Sequence, residues 1–361
     1  MSIYSVNIKN FKSIRDSGEI LLKPINILIG PNGAGKSNFI SYFEFLQKIA
    51  TQQIQFYIAQ NGRADNFLYH GLTNPAPLSG SILFLNKNHY YTFTMVQNKN
   101  SGLVFSKDMF DNSVAGSAQN YDVQKNDPYV ESEIFDNSTP QSVFFRKTFE
   151  RFSIFHFQDT GFTSPMRHPC NTRDYAYLRN NGGNIAAFLY RLQEASPKEF
   201  NLIVKIIQSV APFINRFLLK PDEINPQQIF LRWYENGSDK EFFAHNLSDG
   251  TLRFICLAVL LLQPEPPETI IIDEPELGLH PFAINLLAAM IKTASVKSQV
   301  IISTQSVSLM NEFEPDDIIV VEREDNQTVF KRQNAKSLQT WLEDYSVGEL
   351  WEMNILGGRP K

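Results

Sequence analysis

Gly30-Pro31-Asn32-Gly33-Ala34-Gly35-Lys36-Ser37 is the stretch on which the fold turns. It fits the pattern GxxxxGKS, and its surroundings are the ones that pattern needs. Upstream, Ile25 to Ile29 is an apolar run after Pro24 and reads as a buried strand. Downstream, residues 36–49 carry Phe39, Ile40, Phe43 and Leu46 at helical spacing. A glycine loop between strand and helix turns its backbone N–H groups inward, and the helix N-terminus adds a favourable dipole. The loop therefore predicts a triphosphate site. Asn32, Gly33, Ala34 and Gly35 line it, Lys36 reaches the β- and γ-phosphates, Ser37 places a hydroxyl on Mg²⁺, and Asn38 follows directly.

The complementary chemistry lies far downstream. Thr269 to Ile272 is an apolar strand that ends in Asp273 and Glu274. A carboxylate at a strand end can hold Mg²⁺, which makes Asp273 a metal candidate. The next acid, Glu274, is suited to polarise an attacking water. Before that strand comes Leu247-Ser248-Asp249-Gly250-Thr251, opening the apolar helix predicted for 249–262. Ser248 and Gly250 there offer a hydroxyl and backbone N–H groups to a phosphate. Taken alone, the same residues make an ordinary helix cap.

In this order the motifs resemble those of the ABC ATPase superfamily: phosphate loop (Walker A), LSGGQ-like signature, acidic strand (Walker B), then Glu276-Leu277-Gly278-Leu279-His280-Pro281 as D-loop. The resemblance implies an α/β ABC-type ATPase head, with a mixed sheet flanked by helices, an antiparallel β subdomain and a helical lobe carrying the signature. It implies ATP and Mg²⁺ as cofactors, and a homodimer in which each signature faces its partner's nucleotide. Two positions depart from the common pattern. Asp249 stands where the signature usually has glycine. Gln305, in Ser303-Thr304-Gln305-Ser306, stands where many relatives have a γ-phosphate-sensing histidine; it can hydrogen-bond but not titrate. Gln158 matches the Q-loop, whose side chain serves the metal.

The opening Ile8-Lys9-Asn10-Phe11-Lys12-Ser13-Ile14 is similar to RecF, SMC and OLD ATPases rather than to transporter subunits, and places Lys12 near the nucleotide. Phe157-Gln158-Asp159-Thr160, Tyr177-Leu178-Arg179, Asn184 to Leu189 and Gly348-Glu349-Leu350-Trp351 resemble compact prokaryotic RecF-like ATPases. Those relatives often act beside a small second protein, sometimes Toprim-like, in anti-phage systems. The implied function is an ATP switch that controls a separate effector, a nuclease in defence or DNA repair. The competing function is a RecF-like scaffold that ATP loads on DNA. A Toprim cluster within Asp316-Asp317 to Glu322 is not expected, because Arg323 follows where that motif has glycine.

Composition narrows the field. A net charge of −5 argues against an autonomous nucleic-acid binder. Cys170 and Cys256 form no CxxC, and the six histidines are scattered. The N-terminus lacks a signal-peptide pattern and no apolar run is long enough to span a bilayer, so a cytoplasmic protein is expected. One domain is expected across 1–361. Its parts are 1–106 with 143–173 as the nucleotide-binding β lobe, a polar surface excursion at 107–142, a helical lobe at 174–248, the Walker B core at 249–335 and a tail at 336–361. Within these parts, helices are predicted at 184–194, 197–217 and 281–293, and strands at 2–9, 152–157, 228–234, 240–244 and 298–303. Hairpins are predicted at 80–97 and 318–332, the latter turning at Asp325-Asn326.

Overall fold

The computed structural model describes residues 2–84, 89–98, 102–112, 119–123, 128–132 and 140–358. They form two compact units. One comprises Met1–Ser153, Glu268–Ile271 and Glu314–Lys361; the other comprises Ile154–Pro267 and Ile272–Phe313.

The first unit contains a six-stranded antiparallel sheet. Its strands lie in the order Ile14–Leu21, Ile3–Phe11, Leu78–Phe84, Tyr90–Gln97, Leu103–Asn112, Gln119–Val123. Strand Leu78–Phe84 alternates strictly, burying Leu78, Ile82 and Phe84 on one face. That face receives the helix Lys36–Ala50 through Tyr42 and Phe45, whose rings sit 6.4 and 5.9 Å from Phe93. Helix Pro140–Glu150 adds Phe145 and Phe149, 5.9 Å from Phe84 and 5.3 Å from Tyr91 respectively. Each fully buried ring contributes roughly 1.5–3 kcal/mol. The helix that follows the glycine loop is thus anchored by an aromatic core along most of its length.

A second group of strands in this unit is mixed. Ile25–Ile29 pairs parallel with Ile318–Glu324, which pairs antiparallel with Gln327–Arg332. Asp325 and Asn326 both have positive φ, 47° and 63°, as the predicted two-residue hairpin turn demands.

The second unit is mainly helical. The apolar helix Asp249–Leu262 packs against Pro197–Val210 and Pro281–Ala294, and strand Gln299–Thr304 is buried throughout. A three-stranded antiparallel sheet, Ile214–Leu218, Arg232–Glu235 and Glu241–Phe243, completes it with the short pair Cys170–Asn171 and Gln228–Ile229.

Several expectations change. The helix predicted over 197–217 stops at Val210, because Pro212 cannot continue it, and Ile214–Leu218 becomes a strand. The polar stretch 107–142 is not simply a loop. Its start continues strand Leu103–Asn112, Gln119–Val123 pairs with that strand, and its end opens helix Pro140–Glu150. Residues 113–118, 124–127 and 133–139 lie outside the described residues. Strand Ile14–Leu21 escapes the sequence pattern because its DSGE centre is polar and exposed; pairing with Ile3–Phe11, not burial, holds it. Among the described residues, no helix is long and apolar enough to cross a membrane.

Candidate functional site

In the first unit, Gly30, Gly33 and Gly35 have φ of 154°, 78° and 115°. Gly35 leads into helix Lys36–Ala50, and a Cβ there would collide with Thr328 Oγ1; a Cβ on Gly30 would collide with the Val321 carbonyl. Neither position accepts a larger residue without moving the adjacent strands. Lys36 is 5% exposed, and its ammonium donates to the Gly30 carbonyl at 2.7 Å and the Pro31 carbonyl at 3.2 Å. Ala34 and Gly35 are buried, whereas Asn32, Gly33 and Ser37 are exposed.

A hydroxyl relay braces this loop from behind. Fully buried Thr328 donates through Oγ1 to the Ala34 carbonyl at 2.8 Å and lies 2.7 Å from Ser13 Oγ. Ser13 in turn accepts from Asn38 Nδ2 at 2.7 Å. Asn38, expected among the nucleotide contacts, therefore ties the helix start to the N-terminal strand turn. Ser13 and Thr328 were not among the expected site residues. Ser13 carried a signal, lying within the NFKS motif; Thr328 has none, since only the hairpin brings it there.

Lys12 has φ of 50°, an uncommon backbone for a residue with a side chain. Its ammonium donates to Ser41 Oγ at 2.8 Å and lies 5.5 and 5.7 Å from the rings of Phe11 and Phe67. Burial pulls its pKa down, with Glu44 opposing. Lys12 and Asn38 share a cavity of about 350 Å³ with Tyr57, Asn61, Asn66 and Phe67. A cation, amides and rings around one cavity suit a polar, anionic, ring-bearing ligand.

The second unit holds the other candidates. Ser303 Oγ donates to Asp273 Oδ1, and Gln158 Nε2 donates to the Asp273 carbonyl at 2.9 Å. With the amide nitrogen so committed, the Gln158 oxygen is the atom left to face a cation. Within this unit the Asp273 carboxylate and the Gln158 oxygen are hard-oxygen donors of the kind that suits Mg²⁺. Glu274 has φ of 46°, a left-handed backbone that costs a non-glycine residue roughly 1 kcal/mol or more. Its N–H donates to the Ser303 carbonyl at 2.9 Å, and its Oε1 accepts from Gln305 Nε2 at 2.5 Å. The two expected catalytic residues are thus brought into contact.

Ser248 caps helix Asp249–Leu262, its Oγ accepting from the Thr251 N–H at 3.2 Å while remaining exposed. Asp249 turns sideways: its Oδ1 accepts from Arg167 Nη2 at 2.7 Å. Arg167 is anchored on the Thr160, Ala244 and Leu247 carbonyls at 2.7, 2.7 and 3.0 Å. The acid that replaces the usual glycine is neutralised by this guanidinium. Gly250 sits against the Gly278 carbonyl, where a Cβ would clash. Buried Arg253 donates to the carbonyls of Phe157, Gln158 and Leu277, joining the segment after strand Phe152–Phe155, the helix Asp249–Leu262 and the turn after Asp273. Arg167 and Arg253 were missed because a lone arginine carries no pattern.

The nuclease-like acids are engaged structurally. Asp316 accepts from the Ala335 N–H at 3.1 Å and pairs with Lys23, while Glu322 accepts from the Gly358 N–H and pairs with Lys331. Among the described residues, no group of three or more His, Cys, Asp or Glu could hold a metal.

Comparison with known proteins agrees with this architecture. The chain shares its fold with SMC heads. One is an SMC head bound to the C-terminal winged-helix domain of ScpA (TM-score 0.62, 17% identity, 94% of this chain and 100% of that one). Another is the Pyrococcus furiosus SMC head with an extended coiled coil bound to the C-terminal domain of ScpA (TM-score 0.59, 14% identity, 95% and 99%). Among curated proteins it is similar to Old nuclease of Escherichia phage P2, 23% identical over 93% of this chain but only 61% of that protein's length. Fold and relatives define the class as a RecF/SMC/OLD-like, ABC-type ATPase head of α/β architecture. Within that class, residues 25–311 match the family described as "AAA domain, putative AbiEii toxin, Type IV TA system", and the chain belongs to it.

Proposed function

We propose that the chain is an ATP-driven switch. The loop Asn32–Ser37 holds the triphosphate, Ser37, Gln158 and Asp273 hold Mg²⁺, and Glu274, steadied by Gln305, activates the water. Bound Mg²⁺ would neutralise phosphate charge. Ser248 and Gly250 then meet the nucleotide of a second copy, so that ATP closes a homodimer with two composite sites. The observation that carries this reading is the helix Asp249–Leu262. Its N-terminus and the Ser248 hydroxyl are exposed, and its acid is held aside by Arg167. That surface offers donors to an outside phosphate without a competing charge.

The test is light scattering of Glu274→Gln with and without ATP. ATP should convert monomer to dimer, and Ser248→Arg should prevent this by placing a bulky cation at the contact. A chain that stays monomeric with ATP at every concentration defeats the dimer reading.

The output is a separate effector, a nuclease in anti-phage defence or DNA repair. The toxin family and the partial match to Old nuclease support this reading. Conformational bias of several kcal/mol from ATP is enough to shift a two-state partner decisively. A DNA scaffold would instead need a basic surface, which a net charge of −5 does not favour. The purified wild-type chain with Mg²⁺ and ATP should leave DNA and RNA intact over hours on a gel. Metal-dependent cleavage that persists in Lys36→Ala would place a nuclease in this chain.

A further inference from the structure

Glu276 lies two residues beyond Glu274, across Pro275. It is 7% exposed. Its Oε1 accepts two bonds, from the Thr304 hydroxyl and from the Gln305 backbone N–H at 3.3 Å. Its Oε2 is buried with no hydrogen-bond partner. Burial pushes its carboxyl pKa up, and neighbouring Glu274 pushes in the same direction. A buried carboxyl with one oxygen unsatisfied is costly, and such groups are usually replaced or paired. Stability alone gives no account of it: Leu or Met would fill the space without stranding an oxygen.

The geometry points further. Gln305 carries the amide that donates to Glu274, and Gln305 follows directly on the buried strand Gln299–Thr304. The backbone N–H of Gln305 and the side chain of the residue before it both end on one oxygen of Glu276. A side-chain amide can stay on a carboxylate only if its own backbone is fixed, and Glu276 holds that backbone at the Gln305 N–H. We propose that Glu276 is a positioning residue for hydrolysis: it holds Gln305, and through Gln305 it holds Glu274 in the orientation needed to take a proton from the attacking water. The chain, lacking a histidine at position 305, uses a second acid from its D-loop to set the switch. This rests on Glu274 acting as the base.

Misplacing a catalytic group by about 1 Å can cost on the order of 10²-fold in rate. Glu276→Ala should therefore lower the ATPase kcat roughly 10- to 100-fold with KM and ATP binding unchanged. Glu276→Gln keeps an oxygen for Thr304 and Gln305 and should restore kcat to within about threefold, whereas the shorter Glu276→Asp should not. Because Glu276 acts through Gln305, the double variant Glu276→Ala/Gln305→Ala should be no slower than Gln305→Ala alone. Hydrogen exchange supplies a readout that needs no turnover: the Gln305 amide should be protected in wild type and Glu276→Gln, and exchange at least ~10-fold faster in Glu276→Ala.

A folded Glu276→Ala with wild-type kcat, or with additive losses in the double variant, overturns the proposal. So does a Gln305 amide equally protected in wild type and Glu276→Ala. A wild-type chain that does not hydrolyse ATP would instead overturn the switch reading, while the exchange measurement still decides whether Glu276 holds Gln305.

Discussion

Lys36→Ala should abolish measurable MgATP binding in equilibrium dialysis while the chain stays folded. The ammonium is nearly buried inside its own loop and bonds two of that loop's carbonyls, Gly30 and Pro31. Those bonds show how closely the Nζ already sits to the centre around which the loop curls. With a triphosphate present, the same donors would meet phosphate oxygens, and charge-assisted bonds are worth roughly 1.5–3 kcal/mol each. Losing two of them amounts to about 3–6 kcal/mol, a weakening of roughly 10²- to 10⁴-fold. The loop also loses an internal brace. However, Thr328 still holds the Ala34 carbonyl, so a thermal midpoint within a few degrees of wild type is expected. Full-strength binding by Lys36→Ala would remove the loop from the nucleotide site.

Much of this arrangement was legible in the residues. The strand Ile25–Ile29, the helix from Lys36, the helix Asp249–Leu262 and the strand Thr269–Asp273 fall where apolar periodicity and the glycine and Ser caps place them. Each is sharply bounded, and each is buried enough for pattern to report structure. The edge strands Ile14–Leu21 and Gln119–Val123 were not legible in the same way, because edge pairing needs few apolar residues. The helix that stops at Val210 misled because its apolar period runs on into Ile214 and Phe217, which serve a strand instead.

At the candidate site, side chains with motif neighbours were visible and their braces were not. Thr328 reaches Ala34 across nearly the whole chain, and Arg167 reaches Asp249 from the end of a three-residue 3₁₀ turn with no pattern of its own. The charge problem posed by Asp249 could be stated from sequence, but its solution needed the fold. The same holds for Gln305: its type suggested a weakened switch, whereas only the fold shows its backbone N–H bonded to Glu276 and its side-chain amide to Glu274.

Glu274→Gln should bind MgATP as tightly as wild type and hydrolyse it at least ~100-fold more slowly, the usual size of a lost general base. Glutamine keeps the length and an oxygen able to accept from Gln305, so the local bonds survive while the base does not. The backbone at this residue, with φ of 46°, is tolerated only because its N–H is tied to the Ser303 carbonyl and its side chain to Gln305. Glycine would suit that φ better, so an acid kept there is costing stability for something else. Glu274→Gly should accordingly raise the thermal midpoint or leave it unchanged while turnover collapses as in Glu274→Gln. Phosphate release under ATP saturation measures the rate, and dialysis measures the binding. If Glu274→Gln turns over at the wild-type rate, the base is another group, and Gln305 and Glu276 then steady a carboxylate whose purpose is structural.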